Sequence, residues 1–431
     1  MTTRPTTRPA AAWLGALMIV AAVAISAYAV VYGRPGEVPF LPETFKLTPP
    51  YRIDLDVYRL GAETLLRGGD LYGTLPDTEI GANLPFTYPP IAAMLFVPLA
   101  LLTMRAANLL FSFGTLGLLV VVLTLVLREF TGLRGRQLVL GGLAAGAIGF
   151  WLGPVRESVE FGQVNVALMA LIVVDVVVGR GKRWQGMLTG LAMAIKLTPA
   201  VFLAYFLIKR EWRALITAAV SALLFTGLGF LVAWEHSITY WTGTITDPDR
   251  IGGLAYVSNQ SINGVLLRLG LTGGAATLTW FLLSAVLGLS LLALMAQLFR
   301  RGHGFAAALT MGFYALLASP VSWSHHWVWA GPAILMLLLW ARRTGSPGAL
   351  ALAGSGLLIF ITRLIWDLPD EDALQGLNWT WQQHLQGNAQ AVWGLAFLAF
   401  LAFGAPARAE AMSVETGPEQ PSTPRSVTES R

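Results

Sequence analysis

The chain has 431 residues, of which 55% are hydrophobic and only 12% charged, with 15 tryptophans and a mean hydropathy of +0.62. That balance excludes a soluble domain carrying a single anchor and marks a polytopic helical membrane protein. The net charge of +5 at pH 7 comes from short Lys and Arg clusters between apolar runs, which argues against nucleic-acid binding, and the absence of cysteine excludes disulfides, thiol catalysis and Cys-ligated metal.

Apolar segments near the roughly 20 residues needed to cross a bilayer occupy 11–32, 108–127, 137–153, 163–179, 213–233, 272–298, 305–319, 325–341, 349–366 and 389–405. The first follows Arg4 and Arg8 and is too long for the apolar core of a signal peptide, so a retained anchor is expected. The positive-inside rule places Arg128/Arg134/Arg136, Arg180/Lys182/Arg183, Lys209/Arg210/Arg213, Arg300/Arg301 and Arg342/Arg343 in the cytoplasm. For that assignment to hold, the stretches 88–104 and 186–208 must return to the side where they began. Pro89, Pro90 and Pro98 interrupt the first, and Lys196 to Pro199 divide the second, as re-entrant or paired short segments require. Residues 33–87, 154–162, 234–271, 320–324 and 367–388 then face outward. The expectation is an all-α integral membrane protein of about 10–12 transmembrane helices plus re-entrant segments. Residues 1–405 would form one catalytic domain, with 33–87 as first outer loop and 406–431 as a disordered cytoplasmic tail.

The unusual polar words gather on the outer face. In "YRIDLDVYRL", residues 51–60, Ile53, Val57 and Leu60 suit a helix lying on the bilayer surface, which presents Asp54 and Asp56. Two readings stand for these acids besides a general base acting on a hydroxyl: a solvated face pairing with Arg52 and Arg59, or a metal-binding Asp-x-Asp, which lacks a further nearby acid or His. "NLPFTYPP", residues 83–90, holds Tyr88 rigidly as an interfacial aromatic or a sugar contact. "RESVEFGQVN", residues 156–165, sets Glu160, Gln163 and Asn165 at the outer mouth of a membrane helix, where the amides serve helix packing or hydroxyl recognition. Lys196 at the break between half-helices either snorkels or offers an ammonium to an anion such as phosphate. "SNQS" supplies Asn259 and Gln260, and "SPVSWSHHWVW" supplies Trp323, His325 and His326. Adjacent histidines point about 100° apart on a helix, so they make a poor metal chelate, and one of them is suited to donate to a phosphate oxygen.

Taken in order, "IDLDVY", "LYG", "LPFTYPP", "FGQVN", "GLAMAIKLTPAVF", "NQS" and "SPVSWSHHWVW" resemble glycosyltransferase family 87, polyprenyl-phosphate-mannose-dependent mannosyltransferases of the GT-C type, over about residues 50–340. The resemblance implies a plasma-membrane enzyme with an extracytoplasmic cavity, a lipid-linked mannosyl donor bearing one phosphate, inversion of configuration, and no metal or other cofactor. The family's first-loop acid corresponds to Asp54. Asp56 stands where a relative acting on phosphatidylinositol mannosides has a His, which points to acceptor choice. "TPPYRIDLDVY" and "NLPFTYPP" look closest to the α-1,2-mannosyltransferase that branches lipomannan and lipoarabinomannan, with the phosphatidylinositol-mannoside enzyme as near neighbour. The expected site is therefore Asp54 as base and His325, His326 and Lys196 at the phosphate. Asp56, Tyr88, Glu160, Gln163, Asn165, Asn259, Gln260 and Trp323 are expected at the sugars. A lipid-linked-sugar transporter also uses broken helices and buried charge, but no internal repeat is evident and the polar words share one face.

Overall fold

The structure, a computed structural model, describes residues 9–32, 51–247, 250, 252–368 and 378–406. The first part of the outer loop, 33–50, and all but the first residue of the expected tail lie outside the described residues. Among those described, the chain is helical, and its only extended pairing is an isolated bridge between Asn259 and Trp323.

The first helix, α1 (Pro9–Tyr32), is followed by α2 (Ile53–Leu66), α3 (Pro90–Ala100) and α4 (Met104–Phe130). Each boundary has a local cause. Pro90 occupies the first turn of α3, where a missing N–H costs nothing, and the Thr103 side chain caps α4 by accepting from the Ala106 N–H at 3.3 Å. Next come α5 (Gly135–Gly149) and α6 (Gly153–Phe161), bent by 79° at a short break. Gly162, left-handed at φ +79°, stops α6, and α7 (Asn165–Val177) begins three residues later.

The break expected at Lys196 is present. The helix α8 (Met187–Ile195) ends at Lys196, whose backbone is extended (φ −151°, ψ 134°). A 3-10 turn carrying Pro199 then leads into α9 (Leu203–Lys209). Beyond it run α10 (Trp212–Val232), α11 (Trp234–Thr242), α12 (Ile262–Arg268), α13 (Gly273–Arg300) and α14 (Gly304–Ala318). A 3-10 segment, Ser324–Trp329, opens α15 (Ala330–Thr344), and α16 (Pro347–Thr362), α17 (Trp381–Gly387) and α18 (Ala389–Phe403) complete the described chain. α7 is central, packed against α4, α8 and α14, while α15 lies between α4 and α16.

By length and composition, three described helices can cross a membrane alone, α4, α10 and α13, or five if each bent pair is one span. The sequence expectation of ten or more crossings counted apolar runs; the structure cuts many of these into apolar helices of 10–17 residues, such as α7, α14 and α16. The side chains of α10 and α13 leave large apolar groups such as Leu223, Leu231, Phe281 and Leu289 uncovered, as faces solvated by lipid do. The chain is an all-helical, multi-pass membrane protein.

Candidate active site

A cavity of about 370 Å³ opens where α2, the 83–89 loop, the start of α7, the Lys196 break and the 3-10 segment meet. Part of its lining is apolar, including Leu168, Met169 and Ile172 of α7 with Phe202 and Trp329. Its rim is polar.

The rim begins with α2. Arg52, which precedes that helix and is 1% exposed, donates through Nε to Ser112 Oγ at 2.8 Å and through Nη2 to the Val30 carbonyl at 3.2 Å, anchoring the helix to α1 and α4. On the next turn Asp54 and Tyr58, four residues apart and hence on one face, both line the cavity. Asp54 accepts a 2.7 Å hydrogen bond from Gln163 Nε2. Tyr58 donates to Gln163 Oε1 at 2.9 Å, the Tyr88 hydroxyl lies 3.2 Å from the same oxygen, and the two hydroxyls are 3.0 Å apart. Burial pushes the Asp54 carboxyl up to about 6, against the opposing pull of the Gln163 hydrogen bond and the Lys196 charge.

Across the mouth, Lys196 Nζ is 3.3 Å from His326 Nε2 and 5.5 Å from the centroid of the Tyr88 ring. A carboxylate able to take a proton and an ammonium–imidazole pair able to receive an anion thus share one cavity. Among the described residues no group of three or more His, Asp or Glu is placed to hold a metal ion.

Of the twelve residues expected from sequence, seven line this cavity: Asp54, Tyr88, Gln163, Asn165, Lys196, Trp323 and His326. The other five are placed elsewhere. His325 turns its ring edge-on to Phe161 at 5.3 Å, and its carbonyl accepts from Ser158 Oγ at 3.0 Å and Asn165 Nδ2 at 3.1 Å. Asp56 faces away from the cavity and braces the loop, accepting from the Tyr51 hydroxyl at 2.6 Å and the Glu79 N–H at 2.9 Å. Glu160 pairs with Arg363 at 3.7 Å. Asn259 accepts from the Ser322 N–H at 2.9 Å and donates to the Leu254 carbonyl, also at 2.9 Å. Gln260 donates to the carbonyls of Val257 and Gly387, each at 2.6 Å. The Asn259 side chain ties its loop to the 320–322 loop, and that of Gln260 ties the same loop to the end of α17.

Among the cavity residues that escaped the sequence reading are Tyr58, Tyr240 and Arg250. The spacing of Tyr58 from Asp54 was a usable signal. Arg250 had none, since it sits in a loop without periodicity; its Nε and Nη2 are buried without a hydrogen-bond partner among the described residues.

The model of glycosyltransferase family 87 matches residues 86–320. That span contains Tyr88, Gln163, Asn165, Lys196 and Arg250, while Asp54 precedes it. A Mycobacterium tuberculosis protein, the polyprenol-phosphate-mannose-dependent alpha-(1-2)-phosphatidylinositol mannoside mannosyltransferase, is 40% identical over 366 residues, 81% of this chain and 84% of the relative. Its Mycolicibacterium smegmatis counterpart is 38% identical over 82% of this chain and 84% of its own. The M. smegmatis alpha-(1-2)-phosphatidylinositol pentamannoside mannosyltransferase is 33% identical over 81% of this chain and 85% of its own. No solved structure matches. With more than half of its length under the family model and relatives of this identity along four fifths of it, the chain belongs to glycosyltransferase family 87.

Proposed function

We propose that the protein transfers mannose from polyprenyl-phosphate-mannose to a hydroxyl of a phosphatidylinositol mannoside, forming an α-1,2 linkage with inversion. The observation that carries this reading is the placement of Asp54 and the Lys196–His326 pair around one cavity whose lining is also apolar in part. The donor and acceptor classes are supported by the names of the relatives at 40% and 38% identity. Acceptors of the lipomannan and lipoarabinomannan type, expected from sequence, rested partly on Asp56, which braces a loop outside the cavity.

In a single displacement the acceptor O–H proton passes to the Asp54 carboxylate as its oxygen attacks the anomeric carbon. The bond from that carbon to the phosphate oxygen breaks, and the electron pair leaves on the phosphate. The Lys196 ammonium and His326 imidazole supply charge and hydrogen-bond donors where that negative charge develops. This proposal includes no metal: the leaving group is a monophosphate, and the cationic side chains present are suited to it.

The catalytic face is proposed to be extracytoplasmic. α7 begins in the cavity at Asn165 and ends just before Arg180, and α15 follows His326 and ends at Arg342 and Arg343. Basic helix ends opposite the cavity suit a cytoplasmic side.

The test is transfer by protein purified in detergent, given polyprenyl-phosphate-mannose with either a phosphatidylinositol mannoside or lipomannan, in buffer containing EDTA, followed by linkage analysis. Product with an α-1,2 linkage that disappears in Asp54→Asn supports the reading. Absence of transfer, or a wild-type rate in Asp54→Asn, overturns it.

A further inference from the structure

We propose that Gln163 is a positioning residue for Asp54 rather than a sugar contact, and that the Tyr58 and Tyr88 hydroxyls hold its amide in one orientation. This rests on the reading of Asp54 as the base.

The hydrogen bonds leave the amide little choice. An ionised carboxylate only accepts, so the group facing it at 2.7 Å must be the Gln163 amide nitrogen. The carbonyl then points to the two tyrosines, at 2.9 and 3.2 Å. Two hydroxyl protons serve three short contacts, counting the 3.0 Å contact between the hydroxyls. Every arrangement of those protons leaves at least one on Gln163 Oε1. Turning the amide over would set its carbonyl against the carboxylate, two acceptors with no proton between them, and would take the acceptor away from the tyrosine hydroxyls.

The tyrosines are themselves fixed. Tyr58 is 2% exposed and stacks on Phe96 with ring centroids 4.3 Å apart and planes 4° from parallel. Tyr88 meets Tyr58 edge-on at 5.3 Å, and Pro89 and Pro90 restrict its backbone. Gln163 follows left-handed Gly162, where α6 ends against α2. Asp54 Oδ2 is thereby held, and Oδ1 has no hydrogen-bond partner among the described residues, so it remains to receive the acceptor proton. At most one amide hydrogen of Gln163 is left for a sugar. Placing a base within a few tenths of an ångström of its productive position is worth orders of magnitude in rate. The same hydrogen bond stabilises the ionised form of a carboxyl that burial pushes up.

The experiment measures kcat, both KM values and the pH–kcat profile for the wild type, Gln163→Ala, Gln163→Glu and Tyr58→Phe, with Asp54→Asn as control. Gln163→Ala is expected to lower kcat by about tenfold to a hundredfold, with both KM values within about threefold, and to move the acidic limb to higher pH. Gln163→Glu keeps the shape, so folding is not at issue. It sets a second carboxylate against Asp54 and is expected to raise the limb by more than about one unit. Tyr58→Phe is expected to lower kcat by about threefold to tenfold. A rise in acceptor or donor KM at unchanged kcat, or an unmoved acidic limb in Gln163→Glu, overturns the proposal. An active Asp54→Asn sinks the base assignment itself; an inactive one beside an unmoved limb sinks only the role given to Gln163.

Discussion

Gly162 runs against the first turn of α2 so closely that a Cβ built on it would stand 2.6 Å from the Leu55 Cβ and 3.0 Å from the Leu55 nitrogen. Its φ of +79° is also one that side-chain-bearing residues resist. This contact brings the residue after it, Gln163, to the residue before Leu55, Asp54. Gly162→Ala should therefore cost about 1–3 kcal/mol of stability, read as a lowered Tm in detergent. The rate should fall by about tenfold or more, because α2 must back away and the Asp54–Gln163 contact opens.

The acid limb of the reaction should report Asp54. Its carboxyl is pushed up to about 6 by burial, and a general base works only when ionised. Activity should thus fall as pH drops through about 6, approaching tenfold per unit below that. A pH–rate profile with substrates saturating checks this, and a limb near the ordinary carboxylate value of about 4 speaks against Asp54 as the group titrating.

Lys196 should matter to the donor more than to the acceptor. Lys196→Met keeps length and apolar bulk but removes the charge next to His326. A charge-assisted hydrogen bond contributes about 1.5–3 kcal/mol, so kcat/KM for the donor should fall by roughly tenfold to a hundredfold. Lys196→Arg should recover little of it, since a planar fork does not replace a compact ammonium beside the Tyr88 ring. Initial rates at varied donor and fixed acceptor separate the two substrates.

Gln260 should affect stability and leave the kinetics alone. Its amide ties the Val257 and Gly387 carbonyls and accepts from the Ala391 N–H at 3.3 Å. Gln260→Leu leaves those buried main-chain groups without their partner, at about 1–3 kcal/mol each. The expected result is a lower Tm with both KM values within about twofold of wild type in the folded fraction. A selective rise in one KM instead would return Gln260 to the sugar-contacting set.

Much of the site was legible because membrane chemistry makes polar residues informative. The break at Lys196 could be read from a lysine and a proline inside an apolar run, and the structure ends α8 at that residue. Asp54, Gln163 and Asn165 stood out for the same reason. What the sequence could not reveal was which polar atoms are already satisfied. Asn259 and Gln260 look like a recognition word, yet their partners, Ser322 and Gly387, lie far along the chain. Likewise Glu157 and Glu160 look available until Arg363 and Trp366, some 200 positions later, are seen against them. Helix ends were not legible for a related reason: an apolar run records which residues avoid water but not where the backbone turns, as at the 79° bend before α6.

The cavity is lined by polar and by apolar side chains. With the proposed isoprenoid donor and phosphatidylinositol-mannoside acceptor, both reactants are lipids and reach it from within the bilayer or micelle. Donor occupancy then follows the mole fraction of that lipid in the bilayer or micelle, not its amount per volume of buffer. Adding inert detergent at fixed total donor slows turnover by surface dilution, while affinity, counted per lipid, stays where it was.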